Sequence, residues 1–292
     1  MPSELHYFPY RIGFDIECAL IRETGLENTA KVDYCAKHLL ASISVSSNVP
    51  GHQEPTCLIT TGCERDLVKR FLAYVTEISD TSHELMRERF SEYLEVINQI
   101  DDEVIVDKFA EYLRQIPLLS FCGQRYDIPV MKAQLFELLL DCEEITYVIK
   151  KGTTYSSIST ENFLFLDVSN YLAVGTSYDQ FVRAYGANVH KTYFPYEYFD
   201  SLDKLTSNVF PPYESFHSTL KNKNTLEPSP KEGLTNEEQD VADRFQRSDD
   251  NTSLSQAQIV VVGLHRYEVL RQMFDSNGWT FADFLAHYNN RY

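Results

Sequence analysis

From Tyr10 to Ala19 apolar side chains fall on alternate positions, Ile12, Phe14, Ile16 and Cys18, with Gly13, Asp15 and Glu17 between them. A period of two is the mark of a β-strand, because successive side chains point to opposite faces. The segment therefore reads as a buried strand, and it puts Asp15 and Glu17 on one shared face. Charge on a buried strand is costly unless something compensates it. One reading is that a divalent cation binds both acids. Mg²⁺ takes oxygen ligands and often only one or two carboxylates, with water and substrate phosphate completing the shell. A two-metal site would use one ion to generate hydroxide and the other to stabilise the leaving oxygen. The other reading is a solvent-facing edge of a half-exposed strand.

The rest of the chain narrows the fold class. Ala41–Ser46 and Cys57–Thr61 read as further strands, separated by the turn residues Asn48, Pro50 and Gly51. Helical spacing follows in Leu67, Phe71, Tyr74, Val75 and Ile78, again in Met86, Phe90, Tyr93, Leu94 and Ile97, and over Val106–Leu113. Leu118–Phe121 is a short apolar strand. Asp127–Leu140 is a helix with Pro129 near its start, where a missing N–H costs nothing. Tyr147–Lys150, Tyr155–Ile158 and Phe163–Val168 are strand-like. This order predicts an α/β domain, a mixed sheet flanked by helices.

Beyond Tyr178 the pattern weakens, and Phe194–Leu205 is aromatic and irregular. The composition of 222–234 is that of a linker, and Thr235 with Glu238 forms a capping box that opens a helix. Gln246–Gln258 is polar and patternless, and Ile259–Val262 is an abrupt apolar run. An insertion at 246–264 is expected on that ground. Helical spacing returns over Arg266–Tyr288, with Trp279 and Phe284 as core anchors. The expected domains are 1–221, a linker at 222–234, and a helical continuation at 235–292 that completes the first domain.

Charge argues against an easy nucleic-acid partner. The formal net charge is -17, whereas DNA affinity comes largely from Lys and Arg releasing counterions. An acidic chain can still hold DNA where its acids hold metal ions or where other parts of a larger protein supply the basic groove. The six cysteines show no paired spacing, and Cys35 with His38 lacks a second pair for a zinc site. Reduced intracellular thiols are expected. No apolar run approaches the ~20 residues of a membrane span, and no signal-peptide pattern opens the chain. A soluble protein of the cytoplasm or nucleus, with no membrane partner, is expected.

Several segments together carry a resemblance. FDIE (Phe14–Glu17) is similar to the first exonuclease motif of family B DNA polymerases, and GQRYD (Gly123–Asp127) resembles the second. HKTYFPYEYFDSLDKL (His190–Leu205) resembles the K-x-x-FPYE-x-F-x-SL-x-KL stretch of protein-primed polymerases from Maverick-type transposons, related viruses and linear plasmids. SISVSSNVPG (Ser42–Gly51), LDVSNYLAVGTS (Leu166–Ser177) and TFADFLAHYNN (Thr280–Asn290) look like the same group. The likeness runs from Tyr10 to Asn290.

The resemblance implies an RNase H-like exonuclease fold and a 3′→5′ proofreading role in DNA replication. It implies Mg²⁺ or Mn²⁺ held by Asp15, Glu17 and Asp127. Tyr288 matches the third-motif tyrosine that orients the attacking water. Tyr126, Ser177 and Lys191 match contacts to the single-stranded primer end, Tyr126 by stacking. Plainer roles stand beside these: Asp127 and Ser177 as helix caps, Tyr126 as a core aromatic. The departures matter too. The third motif should place Asp four residues after Tyr288, and Tyr292 stands there; Tyr178 and Thr192 replace a Leu and a Gly. No polymerase motifs follow, so the reading is of an amino-terminal portion ending before the polymerase palm, whose full-length form would have a terminal protein as partner. The missing carboxylate implies weak or absent turnover unless another acid, such as Asp283, serves. The alternative is a non-catalytic binding protein derived from such a gene.

Overall fold

The structure, a computed structural model, describes residues 8–21, 36–97, 99–186, 192–219, 221–245 and 253–290. By contacts the chain divides into two compact units. The first comprises Met1–Glu17, Leu40–His190 and Asn289–Tyr292; the second comprises Cys18–Leu39 and Lys191–Tyr288. The division near residue 190 differs from the boundary expected at 221/222.

A seven-stranded sheet is built from β1 (Ile12–Ile21), β2 (Lys37–Ser47), β3 (Thr56–Ile59), β4 (Ile116–Ser120), β5 (Ile145–Lys151), β6 (Thr154–Thr160) and β7 (Phe163–Asp167). The strand order is β3-β2-β1-β4-β7-β6-β5. β4 runs parallel to both β1 and β7, with Gly13 opposite Leu119 and Ser120 opposite Asp167. The pairs β2–β3, β6–β7 and β5–β6 are antiparallel. Parallel neighbours need crossover connections, and β1 and β4 are separated by α1 (Glu64–Arg89), α2 (Ser91–Ile97) and α3 (Glu103–Arg114). After β4 comes α4 (Asp127–Cys142), and after β7 comes α5 (Tyr178–Tyr185). The expected mixed α/β sheet flanked by helices is present.

The core of this unit follows from periodicity. α1 buries Leu67, Phe71, Val75 and Ile78 on one stripe and packs against α3 and α4. Phe14 of β1 meets Phe71 of α1 at 5.5 Å between ring centroids and Phe165 of β7 at 6.3 Å. Phe14 therefore looks toward α1, and strand alternation turns Asp15 and Glu17 to the opposite face. α5 was missed in the sequence because eight residues make a short helix, although Tyr178, Phe181, Val182 and Tyr185 hold the spacing of one helical face. Its start is nonetheless defined by a capping box between Ser177 and Gln180.

The second unit holds β8 (His217–Ser218), β9 (Lys223–Asn224), α6 (Asn236–Ala242), α7 (Gln256–Asn277) and most of α8 (Phe281–Asn289). The capping box of Thr235 and Glu238 opens α6 as expected. Residues 222–234 are not a free linker in this fold: β9 lies here, and Asn224 and Leu226 are buried. The apolar run Ile259–Val262 also has a regular place in the fold. It lies in α7, which begins with a second capping box, Ser255 and Gln258. Ile259, Val262, Arg266, Leu270 and Phe274 recur at three and four and are all buried. Four consecutive β-branched residues hid that period. The part of the expected insertion at 246–252 lies outside the described residues. Phe284 is a core residue, whereas Trp279 is half-buried and packs on His287.

Candidate functional site

Acids stand on β1 and at the carboxyl ends of β4 and β7. Asp15 and Glu17 lie midway along β1, just past Ile12 and Gly13, which pair with β4; Asp127 opens the helix after β4, and Asp167 is the last residue of β7. Parallel strands tend to place binding sites outside their carboxyl ends. Glu17, Asp127 and Asp167 are buried and Asp15 is half-buried.

Around Asp15 and Glu17 the sheet presents a polar face. Ser42 and Ser44 alternate on β2, and Ser44 pairs in register with Cys57 of β3. Asn289 donates through Nδ2 to Ser42 Oγ at 3.0 Å, and Ser44 Oγ donates to Asn290 Oδ1 at 2.8 Å. Asn289 and Asn290 are thereby tied to β2. Burial pushes the Cys57 thiol up to about 12, Ser42 and Asn289 partly offset it, and the charges of Glu17 and Asp15 add to it. These groups therefore lie within electrostatic reach of one another. Burial and the charge of Asp15 likewise push the Tyr178 hydroxyl up to about 12. Tyr178 stands 5.2 Å from Phe121, ring to ring. The sequence reading missed Ser42, Ser44 and Asn289. The signal was available: in ASISVS every second residue is Ser.

Asp127 sits at the end of a tightly made loop. Cys122 adopts φ 63°, in the left-handed region. Gly123 has no room for a side chain: a Cβ there would lie 1.8 Å from Ser120 Oγ, 2.7 Å from Ser120 Cβ and 3.1 Å from Asp127 Oδ2. Cys122 is raised by burial and by the nearby charge of Asp167, with a smaller contribution from Asp127. Tyr126 precedes the helix and is 36% exposed, so it is not a core aromatic.

The remaining expected site residues are distributed as follows. Ser177 accepts from Gln180 N and caps α5. Tyr288 belongs to the second unit and is 1% exposed. It stacks on Phe194 at 4.9 Å and shares a short hydroxyl–hydroxyl bond with Tyr196. Asp283 caps α8, accepting from Thr280 N at 2.8 Å and Thr280 Oγ1 at 2.6 Å. Lys191, His190, Cys35 and Tyr292 lie outside the described residues.

Among the described residues, no group of three or more His, Cys, Asp and Glu side chains stands close enough to share a metal ion. The donor chemistry nonetheless fits a hard cation. Asp15 and Glu17 offer carboxylate oxygens from one strand face, and the buried Asn289 Oδ1 beside Cys57 lacks a hydrogen-bond partner. No helix among the described residues is long and apolar enough to cross a membrane. The chain matches no family model and no curated protein.

Proposed function

We propose that the chain is the 3′→5′ exonuclease portion of a protein-primed family B DNA polymerase, with an RNase H-like fold and weak or absent turnover of its own. The observation that carries this reading is the placement of its acids. Asp15 and Glu17 lie on the interior strand β1, and Asp127 begins the helix directly after the parallel neighbour β4. The order β3-β2-β1-β4-β7, with helices after β3, β4 and β7, supports the RNase H-like assignment.

Asp15, Glu17 and Asp127 are the residues that would hold Mg²⁺ or Mn²⁺. A bound ion would supply a hydroxide-generating and charge-neutralising centre for phosphodiester hydrolysis. The chain's own part is to orient and desolvate. Glu17 and Asp127 are held in a buried environment, and the half-exposed Tyr126 offers a ring on which a base can stack. Tyr288 and Lys191 are assigned to water orientation and primer contact by resemblance alone. DNA, as a single-stranded 3′ end, is the proposed ligand, bound weakly because of the net charge of -17. A terminal protein would be the partner of a full-length polymerase.

A second reading, a non-catalytic binding protein that keeps the fold, is favoured by Tyr292, which stands where the third motif of the resembled family places an Asp. A 3′-labelled single-stranded oligonucleotide separates the two. On the first reading its binding, followed by fluorescence anisotropy, strengthens with Mn²⁺, and this gain disappears in Asp15→Asn. Slow removal of 3′ nucleotides over hours accompanies it and is lost in the same variant. Binding unaffected by Mn²⁺, with no cleavage, sinks the exonuclease reading and leaves the second.

A further inference from the structure

Asp167 is a buried acid that stands outside the set Asp15, Glu17 and Asp127. It is 2% exposed and ends β7 opposite Ser120 of β4. No cation among the described residues pairs with it. Three backbone amides do: Oδ1 accepts from Cys122 N at 3.0 Å and Ser169 N at 2.8 Å, and Oδ2 accepts from Gln124 N at 3.0 Å. Charge-assisted bonds of this kind are roughly twice as strong as neutral ones. Both oxygens are used for holding backbone, so the carboxylate is not presented outward as a ligand.

What Asp167 holds is the loop that leads into α4. Its two long-range bonds flank Gly123, whose hydrogen position already faces Ser120 and Asp127 Oδ2. Cys122 is kept at φ 63°, a conformation unfavourable for a residue with a Cβ. The Gln124 side chain adds a bond from Nε2 to Asn170 Oδ1 at 2.8 Å, three residues beyond Asp167. Cys122 O then receives Arg125 N and Tyr126 N, and Gly123 O receives Ile128 N. The conformation of the whole turn, and with it the start of α4 at Asp127, hangs on one carboxylate from the neighbouring strand.

We infer that Asp167 is a positioning residue: it clamps the loop 121–126 so that Asp127 and Tyr126 are presented in fixed orientation at the carboxyl end of the sheet. The clamp stands on its own geometry; its consequence for metal affinity rests on the exonuclease reading.

Two readouts on Asp167→Asn and Asp167→Ala test this in the full chain. The first is amide hydrogen exchange of Cys122 and Gln124. Exchange at these two sites accelerates at least 100-fold in Asp167→Ala, while amides of α1 are unchanged. Asp167→Asn, which keeps one accepting oxygen, gives an intermediate acceleration. The second is Mn²⁺ affinity by electron paramagnetic resonance. Supporting groups around metal ligands typically account for about 10- to 100-fold in affinity, and a drop in that range is expected for Asp167→Ala, with partial recovery in Asp167→Asn. Unchanged exchange overturns the clamp. Faster exchange with Mn²⁺ affinity equal to wild type overturns the positioning role. Wild-type protein that takes up no Mn²⁺ overturns the exonuclease reading instead, and the exchange comparison still decides the clamp. If Asp167→Ala does not fold, Asp167→Asn carries both readouts.

Discussion

Replacing Arg266 by Met asks whether residues 222–264 belong to the folded second unit or are a loose addition to it. Arg266 lies in α7 with its side chain 7% exposed. Its guanidinium donates to Glu238 at 2.6 Å, to Glu232 at 3.0 Å and to the Leu226 carbonyl at 3.0 Å, and stands 5.1 Å from the Tyr193 ring. Breaking a buried ion pair by removing one partner costs roughly 3–5 kcal/mol, because the other charge is left uncompensated. Glu238 is 13% exposed and approaches that case. Glu232 is 32% exposed and regains water, so it adds little. The orphaned Leu226 carbonyl adds about 1 kcal/mol. A loss of about 3–4 kcal/mol is expected, read by urea denaturation of the single Trp279 in the same unit. A signature in pH accompanies it. Burial raises Glu238, but its bonds to Arg266 and to the Thr235 backbone outweigh that, and its carboxyl is held below the usual range. Such a group contributes stability that is present above its unfolded value of about 4.3 and lost as pH falls through its folded value. That acid-side loss should shrink in Arg266→Met. A variant within 1 kcal/mol of wild type, with the same acid limb, would refute the assignment of Arg266 as the hub joining 226–238 to α7.

Gly123→Ala should destabilise the first unit by about 1–3 kcal/mol, the usual cost of overpacking, since Ser120 Cβ would lie 2.7 Å from the new methyl; urea titration checks it, and a neutral outcome would mean the loop is slack. Cys57, pushed up to about 12, should resist iodoacetamide at pH 8 while the exposed Cys63 reacts; peptide mass spectrometry showing equal labelling of both would contradict the described burial.

The parts of the fold that declared themselves in the sequence are those with a long or strict period. The alternation around Asp15, the apolar stripe of α1 and the Pro129-marked helix α4 became the elements they suggested. Where period was short or masked by composition, the reading failed. The four β-branched residues from Ile259 look apolar on every side, and only burial at Ile259, Val262 and Arg266 reveals the helix. Residues 222–234 look like a linker because Pro, Lys and Asn dominate, yet Leu226 and Asn224 are anchored by tertiary contacts that no local rule sees. The candidate acids were legible as residue types. Their surroundings were not: the amide clamp on Asp167 joins positions 45 and 43 residues apart, and the Ser42–Asn289 bond spans 247.

The central claim is that Asp15 and Glu17 form a divalent-cation site. Titration of Mn²⁺ into the full chain, followed by electron paramagnetic resonance of the free ion, tests it most directly. Saturable uptake by wild-type protein is expected, weakened about 10-fold or more in both Asp15→Asn and Glu17→Gln, with thermal unfolding of the apo proteins little changed. Uptake that is absent in wild type, or identical in wild type and both variants, would contradict it.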